Sequence, residues 1–184
     1  MFIIGITGTL GAGKGTVVDY LVKNKGFIHL SVRAYLTELI IKDGNIVNRD
    51  SMMDKGNELR TKFGSSYIVD ELYKTAVEKG GNCIIESLRA PGEIESLRKK
   101  GKFYMLAVNA DPKTRYKRIL SRASETDKIS FEEFIENENR EMTSHDPNKQ
   151  NLKKCIAMSD FLINNDGNLE ELYDQTKKII EKIK

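Results

Sequence analysis

Gly8-Thr9-Leu10-Gly11-Ala12-Gly13-Lys14-Gly15-Thr16 follows a short apolar run, Phe2 to Ile6, and opens a helix. Glycines at this spacing let successive backbone N–H groups turn inward around anionic oxygens, and the N-terminus of the following helix adds partial positive charge. Lys14 supplies a mobile point charge suited to the outer phosphates of a nucleotide. A strand before, a helix after and a lysine in place separate this stretch from a glycine-rich turn of no chemical use. The expected nucleotide-binding set is therefore Gly8, Gly11, Ala12, Gly13, Lys14, Gly15 and Thr16.

The general phosphate-loop pattern has Ser or Thr directly after the lysine. Here Gly15 takes that place and Thr16 follows one position later. This resembles the GKGT form of adenylate kinase and related nucleoside monophosphate kinases. The resemblance implies ATP as donor and Mg²⁺ held mainly by phosphates and water, with Thr16 touching phosphate.

Beyond this loop, strand-length apolar runs recur at Phe27 to Leu30, Cys83 to Ile85, Phe103 to Val108 and Phe161 to Ile163, most followed by helical periodicity. That alternation predicts an α/β three-layer sandwich with a doubly wound, five-stranded parallel sheet. Unbroken hydrophobicity in the first and fourth runs fits strands covered on both faces. Gly26, Gly64 and Gly101 sit at expected helix ends, Pro91 and Pro112 at expected starts, the latter behind the capping candidate Asp111. Ser130 and Glu133 have capping-box spacing. At 184 residues, 39% hydrophobic and 31% charged, a single domain spanning 1–184 is expected. Two stretches depart from the alternation: about 31–80 reads as helices only, and about 122–142 is rich in charge and ends in a helix. They are expected to form an acceptor-binding insertion and a lid.

Cys83-Ile84-Ile85-Glu86-Ser87-Leu88-Arg89 puts an acid and a base at the carboxyl edge of a parallel sheet, beside the phosphate loop. Glu86 could hold a magnesium-bound water, and Arg89 could fork onto a phosphate. Glu86 could also serve as a strand-end cap or pair with Arg89. The segment resembles the Asp-Gly-Phe-Pro-Arg stretch of adenylate kinase, with Glu86 in place of the aspartate.

Leu30-Ser31-Val32-Arg33-Ala34-Tyr35-Leu36 resembles the Ser-x-Gly-Asp-x-Leu-Arg segment lining the acceptor pocket of monophosphate kinases. Ser31 and Leu36 match, while Arg33, Ala34 and Thr37 depart from it. Arg49 and Arg60 lie further along the same insertion. Anionic acceptors call for such guanidinium forks, although a lone exposed arginine is usually solvated surface. Ser31, Arg33, Arg60, Glu86 and Arg89 form the expected acceptor set, with Arg60 and Arg33 preferred as its anion-binding pair.

After Asp111-Pro112, a helix carries Arg115, Arg118 and Arg122, the last two at i, i+4 spacing, where unpaired like charges repel. Arg118 to Arg122 resembles the entry to the adenylate kinase lid, which implies Arg118 stacked on adenine and Arg122 on phosphate. Arg140 would be a second lid arginine. Lys14, Arg89, Arg122 and Arg140 are thus the expected catalytic residues. The ending Ser159 to Leu172 resembles that of dephospho-coenzyme A kinase, whose turn, here at Gly167, borders the adenine.

Net charge is +3 on 30 basic and 27 acidic residues, which gives no sign of a nucleic-acid or membrane partner. The basic stretch Lys149 to Lys154 reads as a solvated helix face. The start has no leader or spanning pattern, and Cys83 and Cys155 lack metal-ligand spacing, so a cytoplasmic chain with reduced cysteines is expected. Three functions remain open from sequence. One is an ATP-dependent kinase of nucleoside or deoxynucleoside monophosphates. The second is a dephospho-coenzyme A kinase, disfavoured because Ser31-Val32-Arg33 replaces that family's acidic segment. The third is an ATP-binding regulatory switch that transfers nothing. The oligomeric state is not legible.

Overall fold

The computed structural model of the chain describes residues 1–122 and 129–183. Five strands, β1 (Ile3–Gly8), β2 (Ile28–Ser31), β3 (Cys83–Glu86), β4 (Phe103–Asn109) and β5 (Phe161–Asn164), form one all-parallel sheet in the order β2-β3-β1-β4-β5. Every strand lies within two residues of its expected run. All six residues of the central β1 are buried, because helices cover both faces.

Alternation along the strands divides the core in two. Ile3, Ile85 and Met105 face α2 (Val32–Lys42), α3 (Arg49–Phe63), α4 (Tyr67–Lys79), α5 (Pro91–Lys99) and, through Cys155, α8 (Leu152–Ala157). Ile4, Ile6, Ile84 and Leu106 face α1 (Lys14–Lys25) and α9 (Leu169–Ile183). The remaining helices, α6 (Pro112–Arg122) and α7 (Phe131–Met142), meet through Tyr116, Phe131 and Phe134, the last fully buried. Among the described residues no helix is long and apolar enough to cross a membrane.

Local chemistry explains the boundaries. Gly26 ends α1 in the left-handed conformation, at φ 67°, with its N–H returned to the last carbonyls of the helix. Asp111 accepts from the amides of Lys113 and Thr114 at the start of α6, and Ser130 accepts from Glu133 at the start of α7. Pro91 begins α5. The range 31–80 holds α2, α3 and α4, while part of 122–142 lies outside the described residues.

The carboxyl edge of the sheet positions the functional residues. Register sets Glu86 between Ile6 and Ser31, and Gly8 beside Val108. The loop after β1 and the exit of β3 therefore share one crevice, where open parallel sheets bind ligands.

Candidate active site

The loop between β1 and α1 is shaped by close approach. Gly8 has φ 143°, and a Cβ there would lie 2.0 Å from the Val108 carbonyl oxygen. Gly13, the residue before α1, has φ 100°, and a Cβ would lie 2.3 Å from Asn165 Nδ2. Only glycine meets both demands. Lacking a side chain, Gly13 leaves the first amides of α1 to an external anion. Lys14 Nζ donates to the Gly8 and Thr9 carbonyls, each at 2.9 Å, and so stands across the loop mouth.

Two residues outside the loop fix its shape. Asn165, in the turn after β5, donates to the Ala12 carbonyl at 2.8 Å. Arg115 on α6 is buried; its Nη1 donates to the Leu10 carbonyl at 3.3 Å, its Nε to Ala110 at 2.8 Å, and its guanidinium pairs with Glu138 of α7. The first turn of α6 and the helix α7 are thereby tied to the phosphate loop.

At the exit of β3, Glu86 accepts a 3.1 Å hydrogen bond with His29 Nε2 from β2. Burial, the largest single influence, pushes the Glu86 carboxyl up, but the His29 bond, the Lys14 charge and Ser87 together outweigh it, so the group stays below its ordinary range and ionised. Ser87 follows with φ 73°, uncommon for a residue with a Cβ, and is held there because the Ser87 and Leu88 amides both donate to the Ile6 carbonyl. The kink aims Arg89 at the C-terminal end of α7, where its guanidinium pairs with Glu141 and donates to Gln150.

A cavity of about 670 Å³ joins these parts. Gly11, Gly13, Lys14, Gly15 and Thr16 line one end of it. Glu86, Ser87 and Arg89 lie between, and Val32, Arg33, Leu36, Arg49, Met52 and Met53 line the far end on α2 and α3. Arg118 also lines it, and its Nη1 is buried with no hydrogen-bond partner among the described residues. A guanidinium donor left unmet in this way is costly unless a ligand meets it.

Several expected residues have other roles. Arg60 is only 1% exposed; its Nε pairs with the fully buried Glu93 at 3.0 Å and its Nη1 donates to Asn57, so it forms the cavity floor rather than a free anion fork. The start of α5 beneath it supplies that carboxylate. Arg140 points away from the loop and pairs with Asp50 at 3.2 Å on the exposed side of α3, because its neighbour Glu141 takes the inward face of α7. The Ser31 hydroxyl accepts from the Ala34 amide at 3.2 Å, which makes it the cap of α2. Gly167 is exposed, away from the cavity walls; Asn165, from the same turn, reaches the loop instead. Gly8 and Ala12 shape the loop from behind rather than line the cavity. Arg122 ends α6, and its side chain lies outside the described residues.

The residues outside the expected site set that the structure brings to it are His29, Glu93, Arg115, Glu141, Gln150 and Asn165. His29 and Glu141 give no local signal, since each is defined by a distant partner, whereas Glu93 also accepts from the Arg89 and Ala90 amides just before it at the start of α5. Asn165 lies inside the quoted ending Ser159 to Leu172, Arg115 stands out only as one of three arginines on its helix, and Gln150 sits in the stretch read as a solvated face.

A parallel sheet of order β2-β3-β1-β4-β5, with a glycine-rich loop between β1 and α1 and a lysine across it, defines a P-loop protein of the kinase type of fold. The chain belongs to the AAA domain family, whose model matches residues 4–145. It is 26% identical over its full length to a UPF0200 protein of Staphylothermus marinus, covering 93% of that chain. It is 29% identical over its full length to a UPF0200 protein of Methanothermobacter thermautotrophicus, covering 91% of it. Among solved structures it resembles TT1252 from Thermus thermophilus (TM-score 0.64, 19% identity, 100% of this chain and 98% of that one). It also resembles a shikimate kinase from Bacteroides thetaiotaomicron (TM-score 0.57, 14% identity, 99% and 98%) and a gluconokinase from Sinorhizobium meliloti (TM-score 0.60, 10% identity, 99% and 95%). At those identities the likeness speaks for the fold.

Proposed function

We propose that the protein is an ATP-dependent phosphotransferase acting on a nucleoside or deoxynucleoside monophosphate, built as one P-loop domain. The observation that carries this reading is a cavity that runs without interruption from the phosphate loop past Glu86 and Arg89 to the α2–α3 wall. Its volume of about 670 Å³ suits two small ligands end to end. The loop amides and Lys14 hold the donor phosphates, and the unmet Arg118 Nη1 faces the nucleotide. Arg89 and Arg33 offer charge to the acceptor, while Val32, Leu36, Met52 and Met53 offer an apolar wall for a ring.

Transfer is in line, with positioning and charge neutralisation carrying catalysis and no covalent enzyme intermediate. A phosphate acceptor is already anionic and needs no base. The residues present fit Mg²⁺ held chiefly by nucleotide phosphates: among the described residues no group of three ligating side chains exists, and Glu86 is an ionised carboxylate close to Lys14, within reach through water.

One observation favours a second reading, a dephospho-coenzyme A kinase. Glu86, fixed by His29, is a cavity carboxylate able to take a proton from a hydroxyl acceptor. ADP release measured across nucleoside monophosphates, deoxynucleotides and dephospho-coenzyme A decides between them. Monophosphate-dependent release supports the first reading, and dephospho-coenzyme A-dependent release the second. Acceptor-independent release would instead indicate a nucleotide-driven switch. Lys14→Ala should remove transfer while leaving the thermal unfolding midpoint nearly unchanged; wild-type turnover in that variant overturns the donor-site assignment.

A further inference from the structure

Glu141 is 8% exposed, and its carboxylate is held between two arginines. Oε2 pairs with Arg89 Nη1, and Oε1 lies 3.7 Å from Arg49 Nε. Gln150 Oε1 accepts from the same Arg89 nitrogen at 3.3 Å. All four residues line the cavity. Guanidinium groups converging on one planar anion are the arrangement by which arginine recognises a phosphoryl group. Here the anion is the chain's own.

The same carboxylate joins elements. Glu141 lies at the end of α7 and Arg49 at the start of α3, so their contact closes α7 onto the acceptor wall. A second link, Arg140 to Asp50, is solvent-exposed and contributes little. One turn earlier, α7 is fixed to the phosphate loop through Glu138 and the buried Arg115, and at its start Phe131 and Phe134 pack on Tyr116 of α6. Loss of the Glu141 contact therefore frees the last turn of α7 while the turns before it stay anchored.

We infer that Arg89 and Arg49 form the phosphoryl subsite for the acceptor and that Glu141 is its internal competitor, released only by an incoming phosphate dianion. This rests on the kinase reading for its biological meaning but not for its chemistry. A dianion exceeds the single charge of Glu141 and can engage both guanidinium groups, whereas a neutral ligand leaves the latch in place. The displaced carboxylate regains water at the cavity mouth, and α7 loosens from α3. The subsite thus selects phosphorylated acceptors over their unphosphorylated counterparts and couples their arrival to movement of α7.

The test uses inorganic phosphate as probe, without nucleotide, by calorimetric titration of the full chain. Glu141→Gln removes the competing charge at nearly constant shape and should bind phosphate about tenfold more tightly, a change of about 1.4 kcal/mol. Adding Arg49→Ala to that variant should abolish the gain. Unchanged or weaker binding in Glu141→Gln overturns the inference, as does a gain that survives Arg49→Ala. Hydrogen exchange in the unaltered chain gives a second measurement that needs no variant to fold. Phosphate should speed exchange of the α7 amides near Met142 and spare those near Phe131; no change, or uniform slowing, overturns the inference. Tighter phosphate binding without acceptor-dependent ADP release would sink the kinase reading and leave the subsite standing. Monophosphate-dependent release with unaltered phosphate binding would do the reverse.

Discussion

Glu93 is fully buried and both its oxygens are engaged: Oε1 accepts from Arg60 Nε at 3.0 Å, and Oε2 from the Arg89 and Ala90 amides at 2.8 and 3.0 Å. A buried ion pair adds little net stability over a well-packed apolar substitute, but removing one partner strands the other charge. Glu93→Ala should therefore destabilise the chain by about 3–5 kcal/mol in urea unfolding. Because the same carboxylate anchors the Arg89 backbone, acceptor KM should rise even where the variant is fully folded. His29 acts on a carboxylate that is partly hydrated. The native Glu86 pKa lies below its ordinary value, so its contribution is complete above the unfolded pKa and is lost as pH falls through the native one. His29→Ala removes one of the influences holding the carboxyl down. Carbon NMR should then show the Glu86 midpoint rising, and stability should fall less steeply over that acid window. A midpoint that stays put would show that Lys14 and Ser87 suffice.

Caps and turns set what each element contributes. Ser31 resembles an acceptor-lining serine in sequence, yet its hydroxyl closes the first turn of α2. Ser31→Ala should cost about 1 kcal/mol of stability through the lost cap and leave acceptor KM unchanged; a raised KM with unchanged stability would restore the binding role. The turn between β5 and α9 reaches the phosphate loop through Asn165, and Asn165→Ala strands the buried Ala12 carbonyl, costing about 1–3 kcal/mol. That cost should appear as a lower thermal midpoint together with a weaker upward shift on adding ATP, since the loop would be less ordered before binding. Helix starts at Pro91, Pro112 and Ser130 were legible because their signals lie within a few residues. Gly101, by contrast, falls one residue past the cap of α5, which is Lys100.

Across the whole molecule, the sheet joins two cores, and the cysteines report on its integrity. Burial pushes the Cys155 thiol up to about 12, and Cys83 also lies fully buried. Thiol reagents at pH 8 should label both only as fast as the chain unfolds; rapid labelling of Cys155 in the native state would mean that the α8 side opens locally. The fold was readable from sequence because its evidence is periodic and local. The Phe2–Ile6 and Phe103–Val108 runs need only be apolar throughout to declare a strand covered on both faces, and the glycines of 8–15 with Lys14 need only their spacing to declare a phosphate loop. The charges were not readable in this way. Arg60, Arg89, Arg115 and Arg140 look alike as arginines on helices and loops, and what each does depends on which carboxylate the fold brings to it: Glu93 at 33 residues, Glu141 at 52, Glu138 at 23 and Asp50 at 90. The sequence by itself determined the architecture and the phosphate loop, through hydrophobic period and backbone freedom. Only the tertiary structure decided which arginines remain exposed to the cavity, because charge pairing is chosen by three-dimensional proximity and desolvation.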